Sequence, residues 1–226
     1  MKRNNFNKYY WPIILLFILG GLFYNPAIGL LAIICMVAPI VTAIFKGRMW
    51  CGRFCPRGSF FDQILTRIGA KNRKIPDFLK KPLVRWSVFV VLMGYMSYNM
   101  YLTEGDILAI GKVLFNMVLV TTGIGIVLGY FYSPRSWCKI CPMGTLAMLT
   151  SRGIKKPVQV SSACKSCGVC AKKCPFEIPV NSYKNTGEVE DPDCLKCGIC
   201  VSSCPVNALQ LEENIAGLRS RELSSN

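Results

Sequence analysis

Cys164-Lys-Ser-Cys167-Gly-Val-Cys170-Ala-Lys-Lys-Cys174-Pro is a C-x2-C-x2-C-x3-C-P run, and the pattern returns in Cys194-Leu-Lys-Cys197-Gly-Ile-Cys200-Val-Ser-Ser-Cys204-Pro. Such a run binds [4Fe–4S] clusters, because three closely spaced thiolates hold three irons of one cluster while the fourth cysteine binds the cluster of the other run. The proline turns the chain away afterwards. The spacing therefore predicts two clusters, with the following ligands: Cys164, Cys167, Cys170 and Cys204 for the first, and Cys194, Cys197, Cys200 and Cys174 for the second.

Two other kinds of site also use clustered cysteines, namely a four-cysteine zinc site and a disulfide framework. Neither accounts for two complete copies of the run that each end in Cys-Pro. The two-cluster interpretation is therefore favoured. It implies single-electron chemistry in a reducing compartment, where thiols persist.

The composition indicates a membrane protein. Of the 226 residues 52% are hydrophobic, and the mean hydropathy is +0.36, which is too apolar for an ordinary soluble domain. Histidine is absent, so bis-His haem, His-ligated zinc or copper and a His general base are excluded. The cysteine pairs are followed by proline and never by histidine, which excludes covalent c-type haem.

Four apolar stretches are candidates for membrane spans, since a span needs about 20 apolar residues. They are Tyr9–Tyr24, Pro26–Phe45, Pro82–Leu102 and Ile107–Tyr132. Lys and Arg precede the first stretch, connect the second to the third and follow the fourth, so they would all lie on one side of the membrane. The net charge of +15 therefore follows the positive-inside rule and does not indicate nucleic-acid binding. The pattern predicts a multi-pass protein of the cytoplasmic membrane with both termini and the cluster-binding unit in the cytoplasm.

The expected organisation has four parts. Residues 1–152 form an α-helical domain of four transmembrane helices, 153–163 a linker, 164–211 a small α+β two-cluster ferredoxin domain, and 212–226 a tail. The basic segment Arg67–Arg85 is expected to contact membrane lipid or an acidic partner. One such partner is the ferredoxin domain of this chain, whose acidic residues before the second run are Glu188, Glu190, Asp191 and Asp193.

The membrane half contains an internal repeat. Trp50-Cys51-Gly-Arg-Phe-Cys55-Pro-Arg-Gly-Ser59 follows the second span, and Trp137-Cys138-Lys-Ile-Cys141-Pro-Met-Gly-Thr145 follows the fourth. Each motif closes a pair of spans, so we expect a duplicated helix-hairpin unit. Ser59 and Thr145 are predicted to cap the short helices that follow.

The four cysteines of this repeat form a second candidate site. A helix N-terminus and nearby cations favour thiolate, and four thiolates suffice for a third [4Fe–4S] cluster. The same cysteines are compatible with redox-active dithiols or a soft-metal site such as one for Cu(I), or with a purely structural role in bracing the loops. The candidate residues are Cys51, Cys55, Cys138 and Cys141.

Paired C-x3-C-P-type motifs at cytoplasmic helix ends, followed by a two-cluster ferredoxin, resemble the NapH/MauN-type membrane polyferredoxins. The first motif, Cys51-x3-Cys55-Pro, fits that pattern, and the second, Cys138-x2-Cys141-Pro, is one residue shorter. The resemblance implies an electron-transfer subunit of an oxidoreductase that works with a redox partner subunit or the quinone pool and is not a self-sufficient enzyme. Two alternatives are a metal-centre maturation factor that binds or reduces copper, and a membrane redox sensor.

Overall fold

The computed structural model describes residues 10–69, 74–151 and 158–211. Residues 1–9 and the predicted tail, 212–226, lie outside this part. Residues 153–157 of the predicted linker also lie outside it. The first two ranges are helical, and the third forms a small α+β unit. The helices of the first half are α1 (Trp11–Phe23), a 3₁₀ helix (Pro26–Leu31), α2 (Ala32–Lys46), α3 (Met49–Arg53), α4 (Pro56–Phe60), a π-helix (Phe61–Leu65), α5 (Thr66–Ile68), α6 (Asp77–Lys80), α7 (Pro82–Leu102), α8 (Ile107–Phe131), α9 (Ser136–Ile140) and α10 (Pro142–Ser151).

Helices form at each of the four predicted spans, but they differ in length and hydropathy. Within the described residues, two segments are long and apolar enough to cross a membrane, by length and composition alone: Ala27–Lys46 and Ile107–Phe131. Helix α1 is apolar but shorter. Helix α7 has 21 residues and is not one of these two segments. Four transmembrane helices therefore stay a prediction.

Small residues let the long helices approach closely. A Cβ placed on Gly29 of the 3₁₀ helix would lie 2.0 Å from the carbonyl oxygen of Gly111 in α8, and one on Gly21 would lie 2.1 Å from the ring of Phe115. Such close approach of backbones is how apolar helices pack where water supplies no driving force. The turn between α1 and the 3₁₀ helix is held by Asn25, whose side chain accepts a hydrogen bond from the amide of Ala27 at 2.9 Å.

The short helices after each repeat motif begin one turn earlier than the sequence analysis expects. Cys55 and Cys141 precede α4 and α10, and their carbonyl oxygens accept bonds of 2.9 Å from the amides of Ser59 and Thr145. Ser59 and Thr145 are fully buried inside the helices, so the prediction that they cap them is wrong. The physical reason is that proline, which follows each cysteine, is favoured at the first helical position.

The α+β unit is built around an antiparallel pair of strands, β1 (Val158–Val160) and β2 (Leu209–Leu211). Its other elements are α11 (Val169–Lys173), a 3₁₀ helix (Val180–Lys184) and α12 (Ile199–Ser202). Strand β1 lies within residues 153–163, which the sequence analysis assigned to a linker. It forms because its two valines are buried in the core of the unit while the glutamine between them is exposed.

Candidate iron–sulfur sites

The second cysteine run surrounds a cavity inside the α+β unit. Four cysteines line it, namely Cys174, Cys194, Cys197 and Cys200, together with apolar side chains that include Phe176, Leu195 and Ile199. These are the four residues that the sequence analysis assigned to the second cluster, and Cys174 comes from the first run. The structure therefore brings the crosswise set together, and its role as a ligand set stays a prediction.

The other three cysteines of the first run, Cys164, Cys167 and Cys170, do not line this cavity. Cys164, Cys167 and Cys170 are close enough for their charges to interact, and Cys204 packs against the same core as Cys164 and Cys170. Cys167 is exposed, whereas Cys170 is buried. The two predicted cluster sites therefore differ in their access to solvent.

Both runs adopt the same unusual backbone, which suits an iron–sulfur cluster. Ser166 and Lys196 have φ values of +52° and +49°, and the glycines two residues later, Gly168 and Gly198, have +74° and +76°. This twist turns backbone amides toward sulfur. In the first run, the N–H of Ser166 donates to Sγ of Cys164 at 3.4 Å. Amide donors to sulfur stabilise a bound cluster and tune its potential.

Burial raises the pKa of three thiols of the second run, those of Cys194, Cys197 and Cys200. Burial raises the pKa of Cys194 to about 12, although the amide of Lys196 lowers it. A cluster that binds there has to displace protons, as thiolate metal sites do. Within the described residues, no group of three or more His, Cys, Asp or Glu side chains is placed to hold one metal ion. In a [4Fe–4S] cluster each cysteine binds a different iron, which spaces the sulfurs more widely than the ligands of one ion.

The four cysteines of the membrane half also come together, although the first cysteines of the two motifs lie 87 positions apart in the sequence. The charges of Cys51 and Cys138 each interact with those of Cys55 and Cys141. Burial raises the pKa of Cys51 to about 11 and that of Cys138 to about 12. Fold and repeat thus bring four half-buried thiols into one site.

Two buried arginines cross-link the repeats. Arg48 precedes the first motif and donates from Nη2 to the carbonyl oxygen of Cys138 at 3.2 Å. Arg135 precedes the second motif and donates from Nη1 to the carbonyl oxygen of Cys51 at 2.7 Å. Their exposed fractions are 1% and 3%. Each motif is therefore held in place by the arginine of the other.

Glycines in the repeats make room for these guanidinium groups. A Cβ on Gly144 would lie 2.6 Å from Nη2 of Arg48, and one on Gly58 would lie 3.0 Å from Nη1 of Arg135. Asp62 also binds Arg135, accepting from Nε at 2.9 Å and from Nη2 at 2.6 Å. The sequence analysis treated both arginines only as cytoplasmic loop charges. The signal that identifies them is the shared Arg-x-Trp-Cys, which places an arginine three residues before each motif's first cysteine.

A third arginine contacts sulfur directly. Arg57 donates from Nη2 to Sγ of Cys141 at 3.6 Å and from Nη1 to the hydroxyl of Thr121, a buried residue of α8, at 2.8 Å. Its guanidinium carbon lies 5.8 Å from the centre of the Trp137 ring. Hydrogen bonds to the cysteine sulfurs are one of the features that set the potential of a bound cluster.

One carboxylate of the α+β unit, that of Asp193, binds three cations of the membrane half. Asp193 is 8% exposed and accepts from Arg48 at 2.5 Å, from Arg85 at 2.9 Å and 3.1 Å, and from Lys139 at 2.8 Å. Burial works to raise the pKa of Asp193, but these three cations outweigh it and hold the pKa well below its usual range. Arg48 thereby connects the residue before the second cysteine run to the carbonyl of Cys138.

Further contacts extend the docking surface. The ring of Phe176 lies 5.2 Å from the guanidinium carbon of Arg48 and 5.1 Å from Nζ of Lys139. Glu177 accepts from the amide of Ile75 at 2.7 Å and from Lys80 at 2.9 Å. Within the basic segment Arg67–Arg85, Lys80 and Arg85 thus bind the chain's own ferredoxin unit, one of the two partners expected there. Asp193 had been considered for this role, and Glu177 had not.

The second cysteine run sits directly on the first membrane motif. A Cβ on Gly52 would lie 2.4 Å from the carbonyl oxygen of Leu195, a backbone atom that cannot move without shifting the loop. We therefore expect Gly52→Ala to lower the free energy of unfolding by about 1–3 kcal/mol, the range for overpacked sites. The measurement is the thermal midpoint of the detergent-solubilised protein.

The matched control for this substitution is Gly94→Ala in α7, where an added Cβ meets nothing within 4 Å. Alanine has the higher helix propensity, so Gly94→Ala should leave the midpoint unchanged or raise it slightly. A Gly52→Ala midpoint equal to that of Gly94→Ala would contradict the close contact.

Comparisons with known proteins agree with iron–sulfur chemistry in both halves. A 4Fe-4S binding domain family matches residues 28–76 and 115–159, and each of these segments contains one membrane cysteine motif. A 4Fe-4S dicluster domain family matches residues 163–209, which contain both C-terminal runs. No solved structure matches the chain.

Three curated proteins are similar to the chain. The uncharacterized proteins MJ0749 and MJ0750 of Methanocaldococcus jannaschii are each 27% identical over 172 residues, which are 73% and 70% of this chain and 64% and 69% of those proteins. The putative electron transport protein YccM of Escherichia coli is 25% identical over 191 residues, 75% of this chain and 53% of that protein. The chain thus spans less than two thirds of MJ0749 and YccM. It is a helical protein with ferredoxin-type 4Fe-4S domains, and these similarities support a function in iron–sulfur electron transfer.

Proposed function

We propose that this protein is a membrane-anchored electron relay that connects two ferredoxin-type clusters with a third redox centre at the membrane repeat. The observation that carries the proposal is the seating of the second cysteine run on the four-thiol site, through Leu195 against Gly52 and Asp193 on Arg48. This contact puts two cysteine-rich sites side by side in a folded arrangement. A structural role for the membrane cysteines does not require such a contact.

Each group of residues has a distinct part in the proposal. The two crosswise sets of the C-terminal runs would hold the ferredoxin clusters, and Cys51, Cys55, Cys138 and Cys141 would hold the third. A [4Fe–4S] cluster supplies transfer of one electron at a time at a potential set by its surroundings. Arg57, which donates to Sγ of Cys141, would raise the potential at this site, and the buried Arg48 and Arg135 would keep its two halves in register.

The proposed location is the cytoplasmic membrane, with four spans and the ferredoxin domain in the cytoplasm. Two apolar segments support membrane association, and large apolar side chains are more than half exposed on the other two helices, such as Leu16 on α1 and Val91 on α7. Of the cations that bind Asp193, Arg48 follows α2, Arg85 lies in the first turn of α7 and Lys139 follows α8, as the positive-inside rule requires of a cytoplasmic face. Membrane lipid would cover the exposed apolar faces.

The identity of the partners follows from the resemblance to NapH/MauN-type polyferredoxins. We propose that the protein is an electron-transfer subunit that exchanges electrons with the quinone pool or with a redox partner subunit. A second candidate is a maturation factor that binds or reduces copper at the four thiols, and its support is the half-buried site where the charges of the four cysteines interact. A membrane redox sensor remains a third candidate.

Iron content distinguishes these candidates. We expect anaerobically purified protein in detergent to contain about 12 irons per chain, and the Cys51→Ser/Cys138→Ser double variant about 8, because the variant loses one four-iron cluster. The measurement is total iron and acid-labile sulfide, with EPR spectra of the reduced proteins.

Cys35→Ser tests whether a further cysteine of the membrane half takes part, because Cys35 lies on α2 outside both motifs although its charge interacts with that of Cys55. It should retain the iron content of the wild type. About 8 irons in the wild type and in the double variant alike would contradict a third cluster and favour the soft-metal candidate. Copper titration of both proteins would then test that candidate directly.

A further inference from the structure

The two ends of the ferredoxin unit have opposite surface chemistry. Its repeat places each residue of the first run thirty positions before its counterpart in the second, as Cys164 precedes Cys194. At the docked end the residues around the first cysteine are Asp193 and Leu195, which are 8% and 3% exposed. At the free end their counterparts are Ala163 and Lys165, both exposed.

Three lysines lie within the first run, whose Cys167 is exposed. Lys165 lies between two of its cysteines, and Lys172 and Lys173 end helix α11 just before Cys174. All three are exposed, and the ion pairs among the described residues do not include them. Their counterparts in the second run are uncharged at all three positions: Leu195, Ser202 and Ser203.

No acidic side chain lies between Ser161 and Cys174, so the only charges in this stretch are positive. The docked end works by the reverse arrangement, since there the ferredoxin unit supplies the acid, Asp193, and the membrane half supplies the cations. A partner that docks on this stretch is therefore favoured if it carries negative charge itself. Complementary charge of this kind speeds encounter and orients the partner.

We infer that the surface formed by Lys165, Lys172 and Lys173 is the docking site for a soluble, acidic one-electron carrier protein. The inference rests on the proposed electron-transfer function and adds the entry point and the class of partner. Transfer in the test direction is balanced, since the reduced carrier loses one electron and the cluster held by the first set of cysteines gains it, with no bond formed or broken. The exposed Cys167 lies at this surface, whereas the second set of cysteines faces the membrane repeat.

The experiment measures binding apart from turnover. The full-length holoprotein is placed in nanodiscs of zwitterionic phosphatidylcholine, and an acidic plant-type [2Fe–2S] ferredoxin in its oxidised form serves as the probe. We expect the dissociation constant to rise steeply between about 50 and 200 mM salt, because the Debye length shrinks below 10 Å over this range. The Lys165→Glu/Lys172→Glu/Lys173→Glu variant should bind at least about tenfold more weakly at 50 mM salt and lose most of the salt dependence.

A control variant with the same change in charge is Lys74→Glu/Lys81→Glu/Lys184→Glu, whose three lysines are exposed elsewhere. It should change the dissociation constant by less than about twofold. The neutral Lys165→Gln/Lys172→Gln/Lys173→Gln variant should bind with intermediate affinity, which separates lost attraction from added repulsion.

Several outcomes overturn the inference. Equal weakening by the two glutamate variants would show a general charge effect. Unchanged binding by the Lys165→Glu/Lys172→Glu/Lys173→Glu variant would show that the carrier docks elsewhere. Lysine-dependent binding to phosphatidylglycerol vesicles, without carrier binding, would assign the surface to lipid. Iron content and reduction by dithionite are measured on every variant, so failure of the docking site is distinct from failure of the electron-transfer proposal, which would appear as missing or irreducible iron.

Discussion

Asp193→Ala is expected to release the ferredoxin unit from the membrane half. The carboxylate is the shared acceptor of Arg48, Arg85 and Lys139, and its removal leaves three cations with side-chain exposures of 1%, 11% and 15% without that partner. Breaking a buried ion pair by removing one member costs about 3–5 kcal/mol. The measurement is hydrogen exchange in nanodiscs, where amides of the Gly52 and Leu195 segments should lose protection together.

Glu190→Ala is the matched control for this substitution, because Glu190 is an exposed acid close by in the sequence. It should leave protection unchanged, and Asp193→Asn should give an intermediate loss, since an amide still accepts a hydrogen bond. Retained protection in Asp193→Ala would contradict docking through this residue.

The same carboxylate makes docking insensitive to pH in the neutral range. The pKa of Asp193 is lowered in the folded protein, so its contribution to stability is complete above the unfolded pKa of about 3.9 and is lost only as the pH falls through the folded value. Hydrogen-exchange protection of the docked segments, corrected for intrinsic exchange, should therefore be constant from about pH 5 to pH 8. A decline within that interval would identify a different titrating group.

Removal of iron is expected to unfold residues 158–211 while the long helices persist. The unit has two strands of three residues each and helices of four and five residues. Its interior includes a cavity lined by four cysteines. A core this small does not offset the entropy of ordering its chain without the cluster. Under an anaerobic chelator, the amides of Val158–Val160 and Leu209–Leu211 should lose exchange protection.

The internal control for iron removal is helix α8. Its amides should stay protected in the same sample, because its packing against the 3₁₀ helix Pro26–Leu31 involves no cysteine. Reconstitution with iron and sulfide should restore protection of the two strands. Protected strands in iron-free protein would mean that apolar packing alone stabilises the unit.

The site could be predicted from sequence where its chemistry depends on neighbours along the chain. The spacing of each cysteine run is set by how far the backbone reaches around a cluster, and Gly168 and Gly198 supply the positive φ that the loop needs. The helical segments follow in the same way from runs of apolar residues, and α7 begins and ends at the expected residues. The helix starts were misplaced, because Pro56 and Pro142 were not considered at the first helical position.

The contacts between distant parts of the chain required the tertiary structure. Arg48 and Arg135 look like ordinary loop cations, and only folding places each against the carbonyl of the other motif's first cysteine. Asp193 is one of four acidic residues that precede the second cysteine run. Only the tertiary structure identifies it as the acceptor that three cations share. Ligand spacing is a local property of the backbone, whereas pairing across the fold depends on which helices pack together, a choice spread over many weak apolar contacts that no short motif records.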